Sequence, residues 1–170
     1  FFITRYFIPK SYTSSIQLYV DTSNDDENKN NLNILSEQTY AQNLVATYIK
    51  MLNTNTFYTE LSERINNKYT AKQLSEMVSF SSDEKTEIFD AKVTTSSPND
   101  SKLIADAVGK VAPEAISRLK SKATLKIVDY AQLPTTPSSP NEIKNVIIAM
   151  IAGLVISVGI SLLRAFLDKK

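Results

Sequence analysis

Side chains that could do acid, base or nucleophilic chemistry are few in this sequence and lie far apart. The 170 residues include no histidine and no cysteine, so the commonest general base, the commonest zinc ligand and every thiolate are missing. The remaining candidates are carboxylates without a spacing that demands a shared site: Glu60, Glu63, Asp90 and Asp129. We interpret them as solvated charges, and the sequence predicts a protein that is not an enzyme, with no catalytic residue and no cofactor. A hydrolase built on a carboxylate pair stays open, because sequence does not show which carboxylates meet in space.

A polar stretch at residues 21–33 is the one place that suggests a metal ion. It contains four oxygen donors close together: Asp21, Asn24, Asp25 and Asp26. Calcium prefers such ligands, but the EF-hand spacing and its glycine are missing. We therefore predict a solvated loop and no metal site.

Basic side chains gather late in a predicted helix: Lys110, Arg118, Lys120 and Lys122. One interpretation is contact with an anionic polysaccharide or a lipid-linked pyrophosphate. The other, which we favour, is that these cations complement the C-terminal end of the helix dipole. The net charge of +1 creates no global field, so we expect no nucleic-acid partner.

A long apolar run near the C-terminus predicts a membrane helix. Val146 to Leu163 contains no charged residue, and an extension to residue 167 reaches the length needed to cross the hydrocarbon core, about 20 residues. Arg164, Lys169 and Lys170 follow the run. The positive-inside tendency then predicts a cell-membrane protein whose main domain is extracytoplasmic, with residues 168–170 starting a cytoplasmic tail.

Small side chains recur every four residues in this predicted span: Ala149, Gly153, Ser157 and Ser161. On a helix they share one face, where a second helix can approach closely. Small residues are also simply frequent in membrane helices, and the two interpretations have equal weight.

The N-terminus indicates how the main domain reaches the outside. The chain starts with Phe1 and not with methionine, so we expect a fragment of a longer protein. Residues 1–10 begin with three apolar side chains followed by Arg5. We interpret them as the outer end of a first membrane helix and its connector, with a cleaved signal peptide as the alternative.

The hydrophobic pattern predicts an α+β domain over residues 11–132. Alternating apolar residues predict strands at 11–20, at 77–81 and 87–95 as a hairpin, and at 123–130. Helical spacing and capping signals predict helices at 35–53, near 57–65, after the Thr70–Gln73 capping box, and after a Ser97 cap followed by Pro98. Pro113 should kink or split the last of these helices. The order matches the ferredoxin-like β-α-β-β-α-β pattern with extra helices after the first strand.

Three prolines recur at every third position in residues 133–145, between the domain and the predicted span. Pro134, Pro137 and Pro140 predict an extended, semi-rigid polyproline II segment that leads into the membrane helix. A mere spacer and a ligand for a proline-reading domain are the alternatives, and an extracytoplasmic position disfavours the second.

These features together resemble the Wzz-type chain-length determinants, or polysaccharide co-polymerases, in particular their shorter Gram-positive branch from capsule and exopolysaccharide systems. The resemblance covers nearly the whole chain. It is carried by Tyr12, Ser14, Leu18, Val20, Thr86, Ile88, Val93, Pro98 and Ala105, by the proline motif Ala131, Pro134, Pro137 and Pro140, and by Leu167 with Asp168. The chain departs from the family pattern at Ser101, where alanine is usual, at Asp106, where asparagine is common, and at Pro113.

The resemblance implies a subunit with two membrane helices that forms a homo-oligomer, in ring form, in the lipid bilayer. Its implied neighbours are a polysaccharide polymerase with lipid-linked polysaccharide, and a cytoplasmic tyrosine autokinase that needs a tail after Lys170. The implied role is regulation of the chain length and export of capsular or exopolysaccharide. A membrane-anchored sensor, or a domain that binds an anionic polymer or lipid pyrophosphate, is the alternative.

Overall fold

The structure, a computed structural model, describes residues 9–21, 34–82, 86–119, 124–140 and 142–167. The chain divides into two compact units. The larger unit is Tyr12–Thr136, and the smaller unit combines Phe1–Ser11 with Pro137–Lys170. We describe each unit by itself.

The larger unit is built on a four-stranded sheet. Its strands are β1 (Tyr12–Asp21), β2 (Val78–Ser82), β3 (Ile88–Thr95) and β4 (Thr124–Asp129). Their order across the sheet is β2-β3-β1-β4, so β3 and β1 are the inner strands. All three pairings are antiparallel. Each strand lies where alternating apolar residues predict one.

Four helices belong to the same unit. α1 (Ile34–Leu52), α2 (Asn55–Arg64) and α3 (Ala71–Met77) come between β1 and β2, and α4 (Pro98–Leu119) comes between β3 and β4. This element order is the predicted one. The assignment to the ferredoxin-like class stays a prediction.

Local capping residues start the short helices. The hydroxyl of Thr54 accepts from the backbone N–H of Phe57 at 3.4 Å, at the start of α2. At the start of α3, the Thr70 hydroxyl accepts from the Gln73 N–H at 3.3 Å, and the Gln73 side chain accepts from the Thr70 N–H at 2.9 Å. The predicted capping box is therefore confirmed.

One face of the sheet is buried beneath the helices. Along β1 the buried apolar side chains are Ile16, Leu18 and Val20, at alternate positions. Gly109 on α4 lets that helix come close to the sheet. A Cβ at this position would lie 2.5 Å from the Cδ1 atom of Ile16, inside any ordinary contact distance.

The proline inside α4 does not divide the helix. α4 continues as one element from Pro98 to Leu119, so the predicted split at Pro113 is wrong, while a kink stays a prediction. Val111, Ala112 and Ala115 are buried on either side of the proline. Their packing in the core supports the helix, although the proline ring removes one backbone hydrogen bond.

The smaller unit is dominated by one helix, α5 (Glu142–Leu167), of 26 residues. Its described large apolar side chains between Val146 and Ile160 are 46% to 67% exposed. Among the residues that the structure describes, no helix meets the length and apolarity required of a membrane span. The membrane helix predicted at residues 146–167 accordingly stays a prediction.

Candidate functional site: the proline segment and its anchor

The proline motif begins against the sheet and continues into exposed chain. Ala131 is buried, Pro134 is half-buried and Pro137 is exposed. Pro140 is half-buried in the smaller unit. The motif thus has one buried residue in the larger unit, at the point where the chain leaves β4.

A buried side chain of β1 holds the start of this segment. The Ser14 hydroxyl donates to the backbone carbonyl of Gln132 at 2.7 Å. Ser14 is 2% exposed and lies on the same side of β1 as Ile16 and Leu18. The sequence signal for this contact is that Ser14 stands at a core-facing position of β1, where the other alternate residues are aliphatic.

The segment is not one continuous polyproline II helix, so that prediction is wrong. The backbone bends at Thr135 and Thr136, and Ser139 forms a bridge with Ser11. The Ser139–Pro140 peptide bond is cis. Polyproline II requires a repeated extended backbone, which the bends at Thr135 and Thr136 interrupt.

Within the smaller unit, the residue before β1 pairs with the residues before α5. The N–H of Ser11 donates to the Ser139 carbonyl at 3.1 Å, and the N–H of Ser138 donates to the Ser11 carbonyl at 2.8 Å. The bridge is antiparallel. The chain that precedes Ser11 and the chain that follows Ser139 therefore start out from the same end of the bridge.

A group of buried hydroxyls surrounds the family departure at Ser101. The Ser101 hydroxyl donates to the Tyr12 carbonyl at 2.7 Å, and it lies 2.9 Å from the hydroxyl of Thr95. The Thr95 hydroxyl also donates to the Ser97 carbonyl at 2.7 Å. These bonds join α4 to β1 and β3. Where the family pattern has alanine, Ser101 places a buried hydroxyl that is hydrogen-bonded inside the protein.

The predicted stripe of small residues lies on α5. Gly153 and Ser157 are exposed, and the Ser157 hydroxyl donates to the Leu154 carbonyl of its own helix at 2.9 Å. No described atom approaches a Cβ built on Gly153 within 4 Å. The side chains of Ala149 and Ser161 lie outside the described residues. The proposed packing role of the stripe stays a prediction.

The predicted basic cluster is only partly described. Lys110 is exposed on α4, and Lys120 and Lys122 lie outside the described residues. The Arg118 guanidinium forms an ion pair with Glu60 of α2, and the hydrogen bond that it donates to the Glu60 carboxylate raises the pKa of Arg118. Arg118 also donates to the backbone carbonyl of Glu114 at 3.3 Å. Arg118 therefore has partners inside the protein.

Two of the carboxylates that the sequence singles out lie beside a basic side chain. Glu60 pairs with Arg118, and Asp90 lies 3.8 Å from the ammonium of Lys92. Among the described residues, no three acidic side chains are grouped so that they could hold a metal ion. Asp21, the first residue of the polar stretch, pairs with Lys126 at 2.5 Å. Asn24, Asp25 and Asp26 lie outside the described residues.

One interacting carboxylate was not predicted from the sequence. Asp100, in the first turn of α4, accepts from the Lys68 ammonium at 2.6 Å and from the Tyr69 hydroxyl at 2.7 Å. The hydrogen bonds from these two donors lower the pKa of Asp100, and the bond from Lys68 has the larger effect. The Asp100 carboxylate in turn raises the pKa of Tyr69. The sequence predicts only the favourable place of an acid at a helix N-terminus. The partners come from the turn before α3 and carry no local signal.

Comparison with known proteins shows which proteins this chain is similar to. Residues 107–166 match the family described as "G-rich domain on putative tyrosine kinase". This range contains the basic cluster, the proline motif and the stripe of small residues.

Several relatives match almost the whole chain, among them the following two. The first, a capsular polysaccharide type 8 biosynthesis protein of Staphylococcus aureus, is 24% identical over 169 residues, which cover 99% of this chain and 74% of that protein. The second, the capsular polysaccharide biosynthesis protein CpsC of Streptococcus agalactiae, is 27% identical over 172 residues, with 99% and 72% covered. These matches confirm the predicted resemblance to the Gram-positive capsule branch of the polysaccharide co-polymerases and their kinase adaptors.

Proposed function

We propose that this chain is part of a non-enzymatic, membrane-anchored co-polymerase that acts in capsular or exopolysaccharide biosynthesis and regulates the length and export of the polymer. The observation that carries the proposal is the match to capsular polysaccharide biosynthesis proteins over 99% of the chain. The family description for residues 107–166 supports a separate tyrosine autokinase as the cytoplasmic partner.

The smaller unit supports the membrane part of the proposal. The described large apolar side chains of α5 are 46% to 67% exposed, and exposed apolar surface of this extent requires lipid or a partner helix to cover it. The antiparallel bridge of Ser11 with Ser139 directs the preceding chain and the following chain to the same end. A two-pass topology, with an extracytoplasmic domain and a cytoplasmic C-terminus, follows if both chain directions lead into the bilayer.

The larger unit supports a domain that binds or assembles and does not catalyse. Asp100 and Glu60 pair with lysine and arginine, and the buried Ser101 hydroxyl bonds between elements. We further propose the ferredoxin-like class for it, because the strand order β2-β3-β1-β4 places the first strand between the third and the fourth. Homo-oligomerisation in a ring belongs to the same proposal.

The proposal is tested in the bacterium that encodes the chain. We expect deletion of the gene to change the length distribution of the surface polysaccharide on a gel, and the full-length gene to restore it. Tyrosine phosphorylation of the partner kinase should fall in the same deletion strain. An unchanged polymer with an unchanged kinase would contradict the proposal and favour the sensor alternative.

A further inference from the structure

Ser14 occupies a position in β1 where the fold otherwise places aliphatic side chains. The residues at alternate positions after it are Ile16, Leu18 and Val20, and all are buried. A buried hydroxyl without a partner costs free energy, so it must bond inside the protein. It does so with the Gln132 carbonyl at 2.7 Å.

This bond lies beyond the end of regular pairing between β1 and β4. The ladder ends where Gln17 pairs with Asp129, after a register shift next to Leu18. The chain then leaves β4 for the proline motif. The Ser14 side chain bonds to this stretch at Gln132. Gln132 is one residue after the buried Ala131 and two residues before Pro134.

The residues around Ser14 are themselves fixed to two other elements. The Thr13 hydroxyl lies 2.8 Å from the Thr94 hydroxyl on β3. The Tyr12 carbonyl accepts from Ser101 on α4 at 2.7 Å. The start of β1 is therefore tied to β3 and α4 as well as to Gln132. Because the start of β1 is held in place, the Ser14 hydroxyl can fix the direction of the segment that it binds.

We propose that Ser14 is a positioning residue for the proline segment. Through its bond to Gln132, Ser14 sets the point and direction at which Ala131–Thr136 leaves the sheet. The proposal rests on the proposed function, because it assigns to the proline segment the link between the domain and the predicted membrane helix. A lost Ser14 hydroxyl leaves the β1–β4 ladder in place but frees the segment at Gln132.

Limited proteolysis of the full-length protein in mild detergent, with a protease of broad specificity, tests the anchor. In Ser14→Ala, we expect cleavage within Ala131–Thr136 to become about fivefold faster, the change that corresponds to one net hydrogen bond of about 1 kcal/mol. Ser14→Thr, which keeps a hydroxyl, should restore the slow cleavage. Ser15→Ala is the matched control, since Ser15 is the exposed neighbour on the same strand.

If Ser14→Ala weakens the whole fold, cleavage will become faster within β3 as well. Ser14→Cys then decides, because it keeps a similar volume and only a weak donor. Faster cleavage confined to Ala131–Thr136 supports the proposal. Cleavage of this segment at the rate of Ser15→Ala, in a folded Ser14→Ala or Ser14→Cys protein, overturns it.

Polymer length in strains that carry the same variants separates this inference from the proposed function. Faster cleavage in Ser14→Ala together with altered polymer length supports both. Faster cleavage with polymer of unchanged length, while deletion of the gene also leaves the polymer unchanged, supports the anchor and contradicts the proposed function. Unchanged cleavage, with polymer altered by the deletion, contradicts the anchor and leaves the proposed function supported.

Discussion

The helices α4 and α5 both contain glycine, and the surroundings of these glycines differ. In α4, a Cβ on Gly109 would lie 2.5 Å from Ile16 and 3.3 Å from Ile127. In α5, no described atom lies within 4 Å of a Cβ built on Gly153. The contact of α4 with the sheet explains the first glycine. Gly153 has no such neighbour in the described part of the chain, and we propose that its face of α5 packs against another helix.

The largest expected effect comes from a bulky side chain at the first glycine. Gly109→Leu should lower the free energy of unfolding of the larger unit by about 3 kcal/mol, because the added side chain would have to displace the Cδ1 atoms of the buried Ile16 and of Ile127. Urea unfolding followed by circular dichroism measures the change. A variant as stable as the wild type would show that α4 does not pack this closely on β1.

The same substitution in α5 is the matched control and separates fold from assembly. Gly153→Leu should leave the unfolding of the larger unit unchanged, because no described atom lies near the added side chain. It should reduce the oligomer size measured in detergent, since a bulky residue prevents close helix approach. An unchanged oligomer would count against the packing role of Gly153 and its stripe.

The next effect concerns the acid at the start of α4. Asp100→Asn should lower the free energy of unfolding at neutral pH by roughly 1 to 2 kcal/mol, because the Lys68 and Tyr69 donors lose a charged acceptor next to a helix N-terminus. The Asp100 side chain is 15% exposed, so solvent screens it only in part. Asp90→Asn is the control, since Lys92 lies 3.8 Å from Asp90 and is half exposed.

The pH dependence of this contribution has a definite sign. Donors lower the pKa of Asp100 in the folded protein, so its stabilisation is present above the unfolded carboxyl value, near pH 4, and is lost as pH falls through the folded value. The difference in unfolding free energy between wild type and Asp100→Asn should therefore shrink below about pH 4. A difference that stays constant down to pH 2 would contradict this assignment.

Restoring the family residue at the buried hydroxyl group gives a smaller effect. Ser101→Ala should cost about 1 kcal/mol, because the Tyr12 carbonyl loses the hydroxyl that donates to it in the interior. Ser81→Ala, at an exposed position of β2, provides the baseline in the same urea titration. A Ser101→Ala protein more stable than the wild type would mean that apolar packing outweighs these bonds.

The smallest effect is expected at the basic cluster. Arg118 is an exposed side chain, and an exposed ion pair such as Arg118–Glu60 contributes little. We expect Arg118→Gln and the control Lys110→Gln to share the wild-type unfolding midpoint. We also expect charge reversal at Arg118, Lys120 and Lys122 to leave polymer length unchanged. An altered length would instead favour an anionic ligand at this cluster.

Local signals in the sequence predict most of the larger unit. The capping box at Thr70, the proline start of α4 and the alternation of Ile16, Leu18 and Val20 each depend on neighbours within a few residues, which a sequence shows directly. The predicted split at Pro113 failed because core packing outweighs the loss of one backbone hydrogen bond.

The contacts of the candidate site depend on residues far apart in the chain. The bond from Ser14 to Gln132 joins positions 118 residues apart, and the pair of Lys68 and Asp100 spans 32. No periodicity or spacing rule connects such positions before the fold is known. The polyproline II prediction failed for a related reason, since the bridge of Ser11 with Ser139 is a contact between distant parts of the chain.

Native mass spectrometry of the full-length protein, purified in mild detergent, tests the co-polymerase proposal through the mass of the assembly. The co-polymerase proposal predicts one discrete, closed assembly of many copies, whose size falls in Gly153→Leu. A strict monomer or dimer would contradict it and would leave a membrane-anchored sensor or binding domain as the better interpretation.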